Sequence, residues 1–151
     1  MFGWLKLLDL PPVWLLGFLV LARLLDWLLP WGLFGPAGRL AGAVLAVSGF
    51  GLMGLALARM RRAHTTVIPR RDPEALVTDG VFRFSRNPIY LGDALVLAGA
   101  ILWWDAPLAA PLLPVFMLIL QARFIRGEEA RLRAGFGAAF EEWARRTRRW
   151  L

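Results

Sequence analysis

Cysteine is absent from the 151-residue chain, and histidine and tyrosine occur once each, as His64 and Tyr90. Without cysteine there are no disulfides, no thiolate zinc sites and no thiol nucleophile. No metal site is expected. Charge is scarce too: 19% of residues are Asp, Glu, Lys or Arg, against about a quarter in a soluble domain. Combined with 58% hydrophobic residues, this excludes a disordered chain and argues against a soluble enzyme. Lysine is nearly missing; all but one of the 18 basic residues are arginine.

What the chain does have is apolar length, with eight Trp and ten Phe. Its size suits a single domain, and a bundle of four or five membrane spans at about 20 residues each would use all of it. The arginines are segregated. Seven lie between Arg59 and Arg86 and eight between Arg123 and Arg149, with apolar segments before and between them. A nucleic-acid binder can be equally basic, but long Leu, Ala and Val runs would not divide its basic residues. Two basic clusters bracketing an apolar hairpin fit the positive-inside rule, so a membrane protein is expected and a nucleic-acid partner is not.

The first predicted span covers residues 13–29 and ends at Pro30. Trp14, Trp27 and Trp31 are candidates for interface belts. Arg23 and Asp26 share a helical face, as a local ion pair or as a polar cavity lining. The start of the chain is a poor cleaved signal peptide, with a weak charged region and no good small-residue site. The second predicted span, residues 40–58, contains Gly49-Phe50-Gly51-Leu52-Met53-Gly54. A dinucleotide site needs that spacing between a strand and a helix. Inside an apolar helix it reads as helix packing, as does the Gly38/Gly42 pair.

Residues 59–88 form a long polar connection with Pro69, Pro73, Gly80 and Pro88, and loops of that length are usually functional. Two short apolar segments lie within residues 89–125, joined by Asp105-Ala106-Pro107 as a tight hairpin. Residues 126–151 read as a cytoplasmic amphipathic helix with Leu132, Phe136, Phe140 and Trp143 on one face. The expected fold is therefore all-α, an integral membrane bundle of about four transmembrane helices. Positive-inside counting places the 59–88 loop and the C-terminus in the cytoplasm, and Lys6 weakly supports a cytoplasmic N-terminus.

Loop and tail then share one side and can build one site. Gly80 permits a turn, Asn87 is a candidate N-cap and Pro88 suits a first helical turn. A helix N-terminus beside Arg86 can hold an anionic group such as a carboxylate. Tyr90 and Asp93 come one turn apart, with Asp93 bonding locally or facing a pocket. Glu128-Glu129 can bind an amine or a diol; alternatively they form local pairs with Arg131 and Arg133 on a solvated face. His64 in its arginine-rich loop reads as a surface residue, useful as a base only for an amine or thiol acceptor.

Several of these strings carry a resemblance. Thr65-Thr66-Val67-Ile68-Pro69, Leu76-Val77-Thr78-Asp79-Gly80-Val81-Phe82-Arg83 and Ser85-Arg86-Asn87-Pro88-Ile89-Tyr90-Leu91-Gly92 occur in order. Glu128-Glu129, Leu132, Phe136-Gly137 and Arg148-Arg149-Trp150-Leu151 continue the series. From Thr65 to Leu151 the chain resembles the bacterial integral-membrane branch of the isoprenylcysteine carboxyl methyltransferase and phospholipid methyltransferase family. The resemblance implies a multi-pass bacterial inner-membrane methyltransferase using S-adenosylmethionine, without a soluble Rossmann domain. It implies a cofactor site of Arg86, Asn87, Pro88, Tyr90, Gly92, Glu128, Glu129 and Arg149, with Tyr90 and Arg86 as catalytic candidates. Asn87 stands where His is frequent, Phe140 where Tyr is frequent, and His64 where a small residue is usual. The implied acceptor is lipophilic, an isoprenylcysteine-type carboxylate or a lipid headgroup, reaching the site from the bilayer between helices, and membrane lipids are the other expected partners. A non-catalytic scaffold or lipid-binding module is the alternative, and a small ion-conducting subunit built on Arg23, Asp26 and Asp93 a more distant one.

Overall fold

The computed structural model describes residues 10–66 and 73–151; Lys6 and Val67-Ile68-Pro69 lie outside them. All regular structure among the described residues is helical. α1 is Pro11–Leu28 and α2 is Gly35–Arg62. A 3-10 turn at Gly80–Arg83 precedes α3, Pro88–Trp103. A second 3-10 turn, Pro107–Ala109, leads into α4, Leu112–Leu120. A π-helical turn at Gln121–Ile125 joins α4 to α5, Arg126–Phe136, and α6 spans Ala138–Arg146.

α1 starts two residues before its predicted bound and ends one residue short of it, while α2 outruns its predicted bounds at both ends. α1 starts on the Pro11-Pro12 pair, where a missing N–H costs nothing. α2 runs 28 residues because Arg59, Arg61 and Arg62 in its last turn sit favourably at the negative end of the helix dipole. It stops where His64 takes a positive φ of 50°. The fourth segment does not end at residue 125: helical structure is continuous over Pro107–Phe136, through the π turn. The tail is two helices rather than one. Gly137, at φ 49° and ψ −119°, turns the chain between α5 and α6. The predicted apolar face survives the break, because Leu132, Phe136, Phe140 and Trp143 still meet in one cluster with Phe82 and Ala56.

By length and composition three helices can cross a membrane: Pro11–Leu28, Gly35–Arg62 and Pro107–Phe136. α3 has 16 residues, about 24 Å of helix against a hydrocarbon core of about 30 Å. It lies against α1, α2 and α4 with most of its side chains buried. The outer faces of α1 and α2 expose Leu16, Val20, Leu24, Val44, Val47 and Phe50, an apolar perimeter of the kind lipid-facing helices carry.

α2 and α3 make the closest contact in the bundle. A Cβ at Gly42 would meet the Gly99 carbonyl oxygen at 2.5 Å, and one at Gly49 the Gly92 carbonyl oxygen at 2.6 Å. Gly49 thus packs as predicted, whereas Gly51 and Gly54 of the same string face open space. On the other side of α3, Phe18, Leu97, Phe116, Leu120 and Phe124 form the main core. Arg23 and Asp26 form the local ion pair, with the Arg23 guanidinium 6.0 Å from the Trp104 ring centre.

The hairpin turn after α3 clasps α2. Asp105 Oδ1 accepts the backbone N–H groups of Leu33 at 2.8 Å and Phe34 at 2.6 Å, and Oδ2 accepts that of Gly35 at 3.2 Å. These donors, Phe34 first, hold the Asp105 carboxyl below its usual range. In sequence the turn reads as a simple connector; it caps a helix some 70 residues away, which no local pattern announces.

Candidate functional site

At the opposite end of α3 the two basic clusters gather. Gly80, at φ 59°, starts the short 3-10 turn, and Asp79 before it forms an ion pair with Arg59 at the end of α2. Thr65 Oγ1 accepts the N–H groups of Glu74 at 3.1 Å and Ala75 at 3.3 Å, which folds the loop back on itself. Pro88 occupies the first helical position and Asn87 the cap position. The Asn87 side chain does not cap the helix, however. Its Nδ2 donates to the Arg149 carbonyl at 3.0 Å, and Ser85 Oγ donates to the same oxygen at 3.3 Å. The backbone N–H of Arg86 donates to the Arg148 carbonyl at 2.9 Å. The last residues of the chain are therefore strapped across the start of α3.

The two acids of α5 part company. Tyr90 Oη donates to Glu128 Oε1 at 2.6 Å. Glu129, 6% exposed, takes a forked pair from Arg149, with Nε at 3.0 Å and Nη2 at 2.6 Å. Arg86 Nη2 also reaches Glu129 Oε1 at 3.3 Å, while Arg86 Nη1 donates to the Ala144 carbonyl at 3.3 Å. The hydrogen bond to Glu129 raises the Arg149 pKa above its usual value. The π turn prepares the division. It inserts one residue into a helical turn, rotating α5 by about 100° relative to α4. The Tyr90 ring stacks on Phe124 of that turn at 6.2 Å between centres.

A cavity of about 510 Å³ opens between the start of α1, the end of α2, the loop, α3 and α5. That volume falls in the range of small-molecule sites. Arg86, Asn87, Pro88, Tyr90 and Glu128 line it. The other site residues that the resemblance suggested stand behind the wall. Gly92 faces Gly49 and Met53, and Glu129 and Arg149 brace Arg86. Most of the cavity lining was not singled out as site residues by sequence, Met53, Leu57, Met60 and Arg131 among it. Met53, Leu57 and Met60 form an aliphatic wall at helical spacing, and Arg131 lies one turn beyond Glu128. The spacing itself was the available signal. His64 is exposed and does not line the cavity.

Asp93 faces the cavity rather than bonding locally. Four buried side-chain polar atoms have no hydrogen-bond partner among the described residues: Trp14 Nε1, Arg86 Nε, Asp93 Oδ2 and Arg131 Nε. Three of the four belong to residues lining this one cavity. Buried polar groups are nearly always satisfied, so the cluster has the character of a ligand site with both donors and an acceptor.

No curated protein and no solved structure matches the chain. A family model described as phospholipid methyltransferase matches residues 38–139. That stretch reaches from the first turns of α2 into α6 and contains every cavity-lining residue from Met53 to Leu132. It covers about two thirds of the sequence, and on that match the chain belongs to the phospholipid methyltransferase family.

Proposed function

We propose that the protein transfers a methyl group from S-adenosylmethionine to a lipophilic acceptor at the cytoplasmic face of the bacterial inner membrane. Membership of a methyltransferase family supports the reaction class, and three apolar helices of spanning length support the setting. One observation carries the reading: Arg86, Arg131 and Asp93, which line one cavity with Tyr90 and Glu128, each hold a buried polar atom with no hydrogen-bond partner among the described residues.

The residues present fit the donor's chemistry. Arg86, its guanidinium held by Glu129 and the Ala144 carbonyl, suits a carboxylate. Glu128, fixed through one oxygen by Tyr90, suits an ammonium or a ribose diol through the other. The faces of Phe82 and Tyr90 suit an adenine or a cationic sulfur. Bound there, S-adenosylmethionine supplies a methyl group activated by its positive sulfur. The chain's own task is to orient and to exclude water, which Met53, Leu57 and Met60 favour by keeping one wall aliphatic. Asn87 and Pro88 set the start of α3, Gly92 lets α2 approach, and Glu129 with Arg149 holds Arg86 in place.

Calorimetry of the detergent-purified protein tests this. S-adenosylhomocysteine binds the unmodified chain, and Arg86→Ala or Glu128→Ala weakens binding by about ten-fold or more, the worth of one charge-assisted hydrogen bond. Absence of donor binding, with salt-sensitive attachment to anionic vesicles retained, would replace the enzyme by a lipid-binding module.

A further inference from the structure

We infer that Phe84, with Arg83 and Arg148 beside it, is an interfacial anchor that binds anionic phospholipid headgroups of the leaflet at the basic end of α2. This surface needs only the three helices of spanning length, whatever the cavity binds.

Phe84 is 73% exposed and belongs to none of those three helices. The backbone on both sides of it is fixed. The Phe82 carbonyl accepts the Trp143 Nε1–H at 3.0 Å, and the Phe84 N–H donates to the Val81 carbonyl at 3.2 Å. The buried Ser85 hydroxyl accepts the Asn87 N–H at 3.1 Å. Phe82 is buried in a cluster with Ala56, whereas Phe84 is held outward. Two arginines flank it. Arg83 precedes it in the turn, and Arg148 lies on the strap, where its carbonyl accepts the Arg86 N–H. Both are exposed, and neither has an ion pair among the described residues. In contrast, Arg133, Arg145 and Arg146 of the tail are balanced by Glu141 and Glu142. Arg148 enters the strap through its backbone, so its side chain is left for another partner.

The level of Phe84 in the bilayer follows from α2. The last turn of that apolar helix carries Arg59, Arg61 and Arg62 and marks the headgroup layer, where such side chains reach for water and phosphate. Gly80 sits beside Arg59, since a Cβ there would lie 2.7 Å from the Arg59 Nε. Phe82 meets Ala56, three residues back along α2, about 4.5 Å toward the bilayer centre. α3 then enters the bundle, and Gly92 meets Gly49. The chain thus descends from residue 80 to residue 92, and Phe84 stands on the bilayer side of Arg59. A phenyl ring exposed there lies at the boundary of headgroups and acyl chains, where aromatic side chains collect. The guanidinium groups beside it suit phosphate oxygens. A soluble acidic partner would have to displace lipid to reach the ring.

The chain has no cysteine, so Phe84→Cys carries a single bimane label in the otherwise unmodified protein, one chain per lipid nanodisc. The discs are phosphatidylcholine with a small fraction of spin-labelled phosphatidylglycerol or spin-labelled phosphatidylcholine, each nitroxide high on the acyl chain. Both lipids quench the label. The anionic one reaches half-quenching at a content about five-fold or more lower, since each arginine near a membrane surface contributes about that factor. Adding Arg83→Gln and Arg148→Gln removes the preference and leaves quenching by phosphatidylcholine. Equal quenching by the two lipids with both arginines present, a result that needs no arginine variant to fold, overturns the proposal. So does a preference that survives both glutamines. A label quenched by neither lipid but by aqueous iodide also overturns it, and assigns the surface to water or to a soluble partner.

Discussion

The two ends of α3 hold carboxylates in opposite circumstances. Past its last turn, Asp105 accepts three backbone N–H groups from the start of α2. Near its first turn, Asp93 Oδ2 accepts nothing, and Arg86 Nε and Arg131 Nε, of residues lining the same cavity, donate to nothing among the described residues. In sequence Asp93 could bond locally or face a pocket, and Asp105 reads only as part of a tight connector. The structure separates them by satisfaction: where every polar group is partnered the cluster is a fastening, and where several are open around a cavity it is a place for a ligand. Glu129 and Glu128 repeat the contrast at one residue's spacing, the first saturated by arginines, the second tied through one oxygen to Tyr90.

Substitutions can break this contrast. The largest effect is expected at the open end. Arg86→Ala reduces S-adenosylhomocysteine affinity by about ten-fold or more in calorimetry; unchanged affinity would mean that the open donors do not serve a ligand. Next is Gly92→Ala. An added Cβ would lie 2.7 Å from the Gly49 carbonyl oxygen, so α2 and α3 must part, at a cost of about 1–3 kcal/mol typical of overpacking. A lowered Tm, against little change for Gly51→Ala where nothing lies within 4 Å, checks that Gly92 acts by packing. Arg149→Ala comes third. Its side chain is a third exposed and Arg86 still neutralises Glu129, so about 1 kcal/mol is expected, read as a small drop in Tm with a modest loss of donor affinity.

The smallest effect is expected at the fastened end. Asp105→Asn lowers Tm slightly and leaves donor binding alone; a loss of binding would show that the two ends are coupled. The sign of its pH dependence comes from the lowered carboxyl pKa. A group depressed by folding contributes stability fully above its unfolded pKa of about 3.9, and that contribution is lost as pH falls through the lower folded value. Thermal scans below about pH 4 therefore show a loss in the unmodified chain that Asp105→Asn lacks.

Much of the organisation was legible in the residues. The apolar runs, the helix start at Asn87-Pro88 and the turn at Gly80 are local matters of period and backbone preference. The family was legible in ordered strings such as Arg86-Asn87-Pro88 and Glu128-Glu129. The break at Gly137 was not legible, because the apolar spacing of Leu132, Phe136, Phe140 and Trp143 continues across it as one helical stripe. The strap of Arg148 and Arg149 over α3 was hidden too, since it is made largely by backbone carbonyls, which carry no residue signature. Nor could the Asn87 side chain be assigned to that strap while a cap role fitted it equally well.

Helix positions, the apolar perimeter and the gathering of arginine on two segments are set by the amino-acid order by itself, since each depends on neighbours within a turn or two. Which acid of Glu128-Glu129 faces the cavity depends on the rotation of α5, because consecutive helical residues point about 100° apart. That rotation is set by the π turn at Gln121–Ile125 and by the packing of Phe124 on Tyr90. Such contacts join residues more than 30 positions apart, so only the assembled bundle decides them.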